Sequence, residues 1–364
     1  MNFTKPLTNT QVTDHLDSYL AKLQQKNPGR STLVRVFSPS SGLDYTYPAN
    51  RGDAPYHIAS IGKVFTAVLV QMLSARGNFS IDDPVHLHLP AGALDRLFVY
   101  REVDHQKDVT IRHLLGHTSG IADYFEGKTL YGPTMLKDVI EHPDTHWTPQ
   151  MLIDFTRERQ QAVAAPGEKY NYSDAGFILL GMLIEAVTGK PFGQNLEDEF
   201  FRPLQMMDSY LMFFNRPLNG IDRRIEPIWF DRLEVSRFES LSCDWAGGGI
   251  VTTPDDLLKF NIALRENRLI DAAVLREMDV CPNKFNPGIY YGLGMMEIRF
   301  GDFFFLLRGL PKVKGHIGIL STHMFYDPVN DTHIILNFGS TTRMTESFKS
   351  LIEIENMLGR LKKS

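Results

Sequence analysis

The chain reads as an α+β protein: an antiparallel sheet flanked by helices, with a mainly helical lobe inserted between early and late strands. Three observations predict this. Strand patterns gather near the two ends, at 32–38 and 43–47 and again at 289–299, 303–308, 319–326 and 332–338. Between residues 82 and 241, apolar residues recur at helical spacing in short stretches broken by Pro, Gly and Asp, with little strand signal. Helical patterns at 12–25 and 346–361 flank the strands, and helices beside such a sheet cover its faces. The expected division is a sheet-bearing lobe of residues 1–85 and 242–364 and a mainly helical lobe of residues 86–241.

Taken in order, Leu16, Tyr19, Leu20 and Leu23 give 12–25 one apolar stripe, ended by Asn27, Pro28 and Gly29. Ser40, Ser41 and Gly42 separate the first two strands as a turn. Val64, Phe65, Val68, Leu69, Met72 and Leu73 share a broad face, predicting a buried helix over 60–75. Shorter helical patterns follow at 111–115, 150–159 and 176–187. Thr253, Pro254, Asp255 and Asp256 read as the capped start of a helix through 264, with another at 272–278. Among the late strands, Gly301–Asp302 and 327–331 mark turns. The run from Phe303 to Leu307 reads as a buried strand rather than a lipid contact, and 346–361 as a final helix with a basic end.

A chain of 364 residues can bury a large core, and 43% hydrophobic with 22% charged residues is ordinary for a globular protein. The net charge of -5 gives no general attraction to nucleic acid or anionic lipid. Two cysteines, Cys243 and Cys281, are too few for a disulfide framework and read as reduced thiols. The polar first residues show no apolar signal core and no stretch is long enough to span a bilayer, so the expected location is cytoplasmic. No cofactor or metal is called for. His113 and His117 stand at i,i+4, yet no Glu follows His113 as a metalloprotease motif requires.

Chemistry gathers first at Ser60. It opens the predicted buried helix, where unpaired backbone N–H groups and the positive dipole end lie. Lys63 follows one turn on, in the S-x-x-K arrangement of serine acyl-transfer enzymes. Ser is also a favoured N-cap, so the pair acquires meaning only from its companions.

Those companions are Leu114–Leu115–Gly116–His117–Thr118–Ser119–Gly120, Tyr170–Asn171–Tyr172–Ser173–Asp174, Asp244–Trp245–Ala246–Gly247–Gly248–Gly249 and His316–Ile317–Gly318. With S-x-x-K, and in this order, the chain resembles the serine β-lactamase-like superfamily, on its class C β-lactamase, D-alanyl-D-alanine carboxypeptidase and esterase side. The resemblance implies the β-lactamase/transpeptidase-like fold. It implies a nucleophile at Ser60, a paired Lys63, a tyrosine base at Tyr172, a basic strand residue at His316 and a structural His117. It also implies an oxyanion hole from the backbone N–H groups of Ser60 and Ile319, with Gly318 letting substrate approach the strand closely.

Chemistry sets conditions on that reading. A phenol titrating near pH 10 would need about 4 kcal/mol of stabilisation to serve as a base at neutral pH. A helix dipole supplies at most about 2 kcal/mol, so Lys63 should supply the rest as a cation. The other arrangement makes a neutral, desolvated Lys63 the base. Asp174 stands where the superfamily usually has Asn; a carboxylate there would hold Lys63 protonated, favour Tyr172, and remove an amide donor toward substrate. Read literally, Ser173–Asp174–Ala175 also approximates the S-D-N motif of class A enzymes. Ile317 lacks the hydroxyl that many relatives offer to a substrate carboxylate. The expectation is a serine hydrolase acting on a small ester, amide or peptide, most like an esterase or D-amino-acid peptidase. The alternatives are a β-lactamase or D-Ala-D-Ala carboxypeptidase (a penicillin-binding protein), and a silent ligand-binding relative. Oligomeric state is not legible.

Overall fold

The computed structural model describes residues 6–361; residues 1–5, part of the polar start, and 362–364, which carry part of the basic end, lie outside them. One eight-stranded antiparallel sheet carries the architecture. Its strands are β1 (Leu33–Ser38), β2 (Leu43–Tyr47), β3 (Asn283–Asn286), β4 (Ile289–Tyr291), β5 (Met296–Ile298), β6 (Val313–Gly318), β7 (Thr322–Asp327) and β8 (Thr332–Asn337), in the spatial order 3-4-5-6-7-8-1-2. Early and late strands join where Leu33 of β1 pairs with Asn337 of β8.

Both faces of the central strands are apolar because both are covered. Side chains alternate across a strand. Along β8, Ile334 and Leu336 therefore enter one cluster, with Val12, Leu16 and Leu20 of α1 (Asn9–Lys26) and Leu351 and Ile354 of a C-terminal helix (Met344–Leu358). Ile335 enters the other, with Val64, Phe65 and Val68 of α2 (Gly62–Ala75). Apolar nearly all round, α2 is buried between the sheet and the helices of the middle stretch. Phe65 stacks on Phe260 of α4 (Pro254–Arg265), centroids 3.7 Å apart, while α3 (Asp174–Thr188) packs on the other side of α2. Thr8 and Thr253 cap α1 and α4 through their side-chain oxygens, as Ser/Thr N-caps do.

Four elements depart from the sequence expectation. The 289–299 pattern is two strands, not one: the chain doubles back between them, with Gly294 at φ +74 pressed against Ala67 of α2. The 303–308 run is no strand. β5 pairs directly with β6, so the connection between them leaves the sheet, and it coils into two short helical turns, Phe300–Phe303 and Phe305–Leu307. Consequently Gly301–Asp302 is helical rather than a turn between strands. The 319–326 pattern starts only at Thr322, and β6 before it, which carries His316, is a strand of its own. Finally, Ser60 precedes α2 in a 3₁₀ turn, Ala59–Ile61. Both cysteines are free and buried.

Candidate active site

Ser60 is placed by backbones that touch. Ala59 sits at φ +49, a left-handed conformation that a non-glycine residue holds only where its surroundings require it. Those surroundings are glycines. A Cβ at Gly248 would lie 2.8 Å from the Ala59 carbonyl, and one at Gly318 2.7 Å from Ala59 Cβ and 2.4 Å from Thr322 Oγ1. Thr322 Oγ1 donates to the Ile58 carbonyl at 2.9 Å, fastening the Ser60 turn to the sheet. The end of β6 and the loop residue Ile319 thus lie alongside the Ser60 turn.

Lys63, fully buried in the first turn of α2, donates from Nζ to Ser60 Oγ at 3.1 Å, to the Gly247 carbonyl at 2.7 Å, and to Asp174 Oδ1. Burial works against its charge, but Asp174 and then Tyr172 outweigh burial and hold Lys63 above the ordinary lysine range. Lys63 is therefore a cation here. Tyr172, partly exposed, lies beside Ser60 and Lys63, whose Nζ is 5.1 Å from its ring centroid. Burial, joined by Asp174, raises the Tyr172 phenol despite Lys63 and Ser60, which act to lower it. The lowering that base chemistry calls for is thus absent in the resting arrangement; burial first, and then the carboxylate beside the phenol, is the physical reason. Ser173 turns away: its hydroxyl donates to the Ala122 carbonyl at 2.7 Å.

His316 is buried on β6. Its Nδ1–H is directed at the adjoining Ile317 carbonyl, 2.6 Å away, and its ring stands edge-on to Tyr291. Burial, with Lys63 nearby, pushes its pKa down to about 3, so it is neutral. Ile317 belongs to the apolar cluster with α1. His117 holds the tyrosine segment in place: Nδ1 accepts from Ser173 N–H at 3.1 Å and the ring packs 4.3 Å from that of Tyr172. His113 instead caps its own helix, accepting from Thr110 N–H. Among the described residues no cluster of three His, Cys, Asp or Glu side chains is arranged to hold a metal ion.

Sequence reading missed three neighbours. Asp123 accepts from the backbone N–H groups of Asp174 at 2.9 Å and Glu126 at 2.8 Å; burial and Asp174 push its pKa up to about 7. Asp244, 3.6 Å from His57, is likewise pushed up to about 7 by burial and Asp174, with Lys63 opposing. Tyr291 packs edge-on against both Tyr172 and His316. Asp123 lies three residues beyond the Leu-Leu-Gly-His-Thr-Ser-Gly stretch and Asp244 opens the glycine-rich one, so position within known motifs was an available signal; Tyr291 had none.

A sequence model of the family described as Beta-lactamase matches residues 43–348. The chain belongs to the beta-lactamase family. Relatives of this family member are distant and varied in name. Esterase EstB of Burkholderia gladioli is 30% identical over 69% of this chain and 68% of its own length. A penicillin-binding protein of Bacillus subtilis is 27% identical over 77% of this chain, which spans 62% of that protein's length. In structure, a D-stereospecific amidohydrolase from Streptomyces sp. superposes with a TM-score of 0.73 at 26% identity, covering 94% of this chain and 98% of the other. The antiparallel sheet with its covering helices is thus the β-lactamase/transpeptidase fold. Among the described residues, no single helix is long and apolar enough to cross a membrane.

Proposed function

We propose that the protein is a serine hydrolase forming an acyl-enzyme on Ser60, and that its substrate is a small ester or amide whose acyl side carries a positive charge, such as a D-aminoacyl group. The observation that carries this reading is the gathering of Ser60 Oγ, Lys63 Nζ and the Tyr172 side chain. In the proposed cycle, deprotonated Tyr172 takes the Ser60 proton as Oγ attacks the carbonyl carbon and then returns it to the leaving group. Lys63, held charged by Asp174, stabilises the phenolate. The N–H groups of Ser60 and Ile319 receive the developing oxyanion.

Electrostatics supports the substrate class. Glu126, Asp174 and Asp244 lie around the Lys63 cation, with Asp123 beside Asp174. His316 is neutral and Ile317 carries no hydroxyl, so the site end of β6 offers neither charge nor hydroxyl to a substrate carboxylate, and Lys314 at its other end is paired with Glu297. That disfavours penicillins, which carry a carboxylate, and favours an ammonium-bearing acyl group. The test is fluorophosphonate labelling with peptide mapping, beside a panel of p-nitrophenyl esters, D-amino-acid amides and nitrocefin. Labelling at Ser60, lost in Ser60→Ala along with about 10⁴-fold or more of turnover, is the expected result. An intact protein that takes no label would support the silent ligand-binding reading instead. Nitrocefin turned over as fast as the best ester or amide would overturn the substrate class.

A further inference from the structure

The connection between β5 and β6 presents large apolar side chains to solvent. Phe304, Phe305 and Leu306 are 51%, 64% and 67% exposed, consecutive in sequence, with the Phe304 and Phe305 rings 5.1 Å apart. They sit on a firm root. Phe303 packs edge-on against Phe348, 5.4 Å between centroids, and Leu307 and Leu310 pack against the apolar cluster beneath. Arg308 and Lys312 are exposed beside the tip and have no ion-pair partner among the described residues; Asp302 is the one acidic residue from Arg299 to Lys314. Nothing in the proposed acyl-transfer site uses this segment. Soluble proteins seldom leave such a contiguous apolar group uncovered without an occupant.

We infer that this tip is a docking device for an anionic lipid surface: Phe304, Phe305 and Leu306 enter the headgroup–acyl boundary while Arg308 and Lys312 meet the lipid phosphates. Two observations favour lipid over a second copy of the chain. The apolar residues occupy a short connection outside the sheet, a shape suited to insertion rather than to a flat, self-complementary patch. A two-fold contact would also set the unpaired Arg308 and Lys312 of one copy near those of the other, where like charges repel. Apolar insertion beside a local basic pair is the combination that holds peripheral proteins on anionic membranes, and it acts within about a Debye length. The net charge of -5 therefore does not prevent it.

The experiment is co-sedimentation of the full chain with phosphatidylcholine vesicles, with and without phosphatidylglycerol, at low and high salt. Three proteins are compared: wild type, the triple variant Phe304→Ser, Phe305→Ser, Leu306→Ser, and the pair Arg308→Glu, Lys312→Glu. Wild type should bind the anionic vesicles, weaken with salt, and lose at least about tenfold in affinity in each variant. Circular dichroism melts should match in all three, since the changed side chains are exposed. Absence of wild-type binding, equal binding to uncharged vesicles, or undiminished binding by the folded triple variant would each overturn the inference. So would a dimer in light scattering that the triple variant abolishes while vesicle binding is absent; the tip would then be a contact between copies.

Discussion

Asp174 decides how the proposed base behaves. It holds Lys63 charged, but it also stands beside the phenol it is meant to help and raises it. The proposed active form is therefore a minor, deprotonated one. kcat/KM on a non-ionising ester should still climb between about pH 7 and about pH 9. Asp174→Asn should move the acidic limb to lower pH, by about half a unit or more, because the nearest charge opposing the phenolate is gone. A limb that stays put or moves up would mean Asp174 does not act on Tyr172. Tyr172→Phe should lose on the order of 10³-fold or more in acylation rate, whereas Ser173→Ala should be mild, its hydroxyl being committed to the Ala122 carbonyl. The reverse ranking, measured by stopped-flow acylation, would favour the class A reading of the same segment. At this scale the sequence made Ser60, Lys63, Tyr172 and Asp174 legible, because each sits in a short motif whose spacing has a chemical reason. It did not reveal that Asp123 and Asp244 crowd the same carboxylate, Asp174. Their proximity depends on how three distant segments fold together.

At the level of elements, the approach of β6 to the Ser60 turn permits a sharper test. Gly318→Ala would drive a Cβ into Ala59 and Thr322, so the strand end and the 3₁₀ turn must part by about 1 Å. A shift of that size at a reacting centre should cost about 10²-fold in kcat/KM. The loss in melting temperature should be modest, because the rest of the β6–β7 ladder is untouched. An alanine variant with wild-type kcat/KM would show that this contact does not position Ser60. The same elements show where sequence patterns carry far and where they stop. The helices at 111–115 and 272–278 and the first two strands were readable because caps, turns and periodicity agreed. The Phe303–Leu307 run was misread because a stretch of consecutive apolar residues has no period; only the pairing of β5 with β6 shows that the segment has no ladder to join.

For the whole molecule, buried titratable groups set the response to pH. His57 and His333 are pushed down to about 4, and His316 and His323 to about 3, by burial. In the unfolded chain they titrate near about 6.5, so below that pH the unfolded state takes up protons that the fold refuses. Their contribution is complete above about pH 6.5 and is lost as pH falls toward about 4 to 3. Asp123 and Asp244 act with the opposite sign. Folded, they keep protons up to about pH 7 that the unfolded chain has released, so they favour the fold as pH falls from about 7 to about 4. The five buried histidines, with His117 among them, outweigh Asp123, Asp244 and Glu355, which burial likewise raises, and the urea midpoint should be lower at pH 5 than at pH 7. Asp244→Asn removes one opposing group, so its drop over the same interval should be larger than that of wild type. A midpoint that rises on acidification would show the histidines are not held neutral.

The pairing of Leu33 with Asn337 has a further consequence, in time rather than in space. A ribosome adding about 5–20 residues per second finishes the first strand roughly 15–60 seconds before its partner exists. Throughout that interval β1 keeps the edge that β8 will pair unfilled, and α2, apolar nearly all round, has only two strands of sheet to lie on. Slower growth temperatures lengthen the wait but weaken the apolar attraction that turns waiting chains into aggregates. Soluble yield should therefore rise on cooling the culture. A chain ended before residue 332 should go to the insoluble fraction at every temperature, since the strand that closes the sheet never arrives.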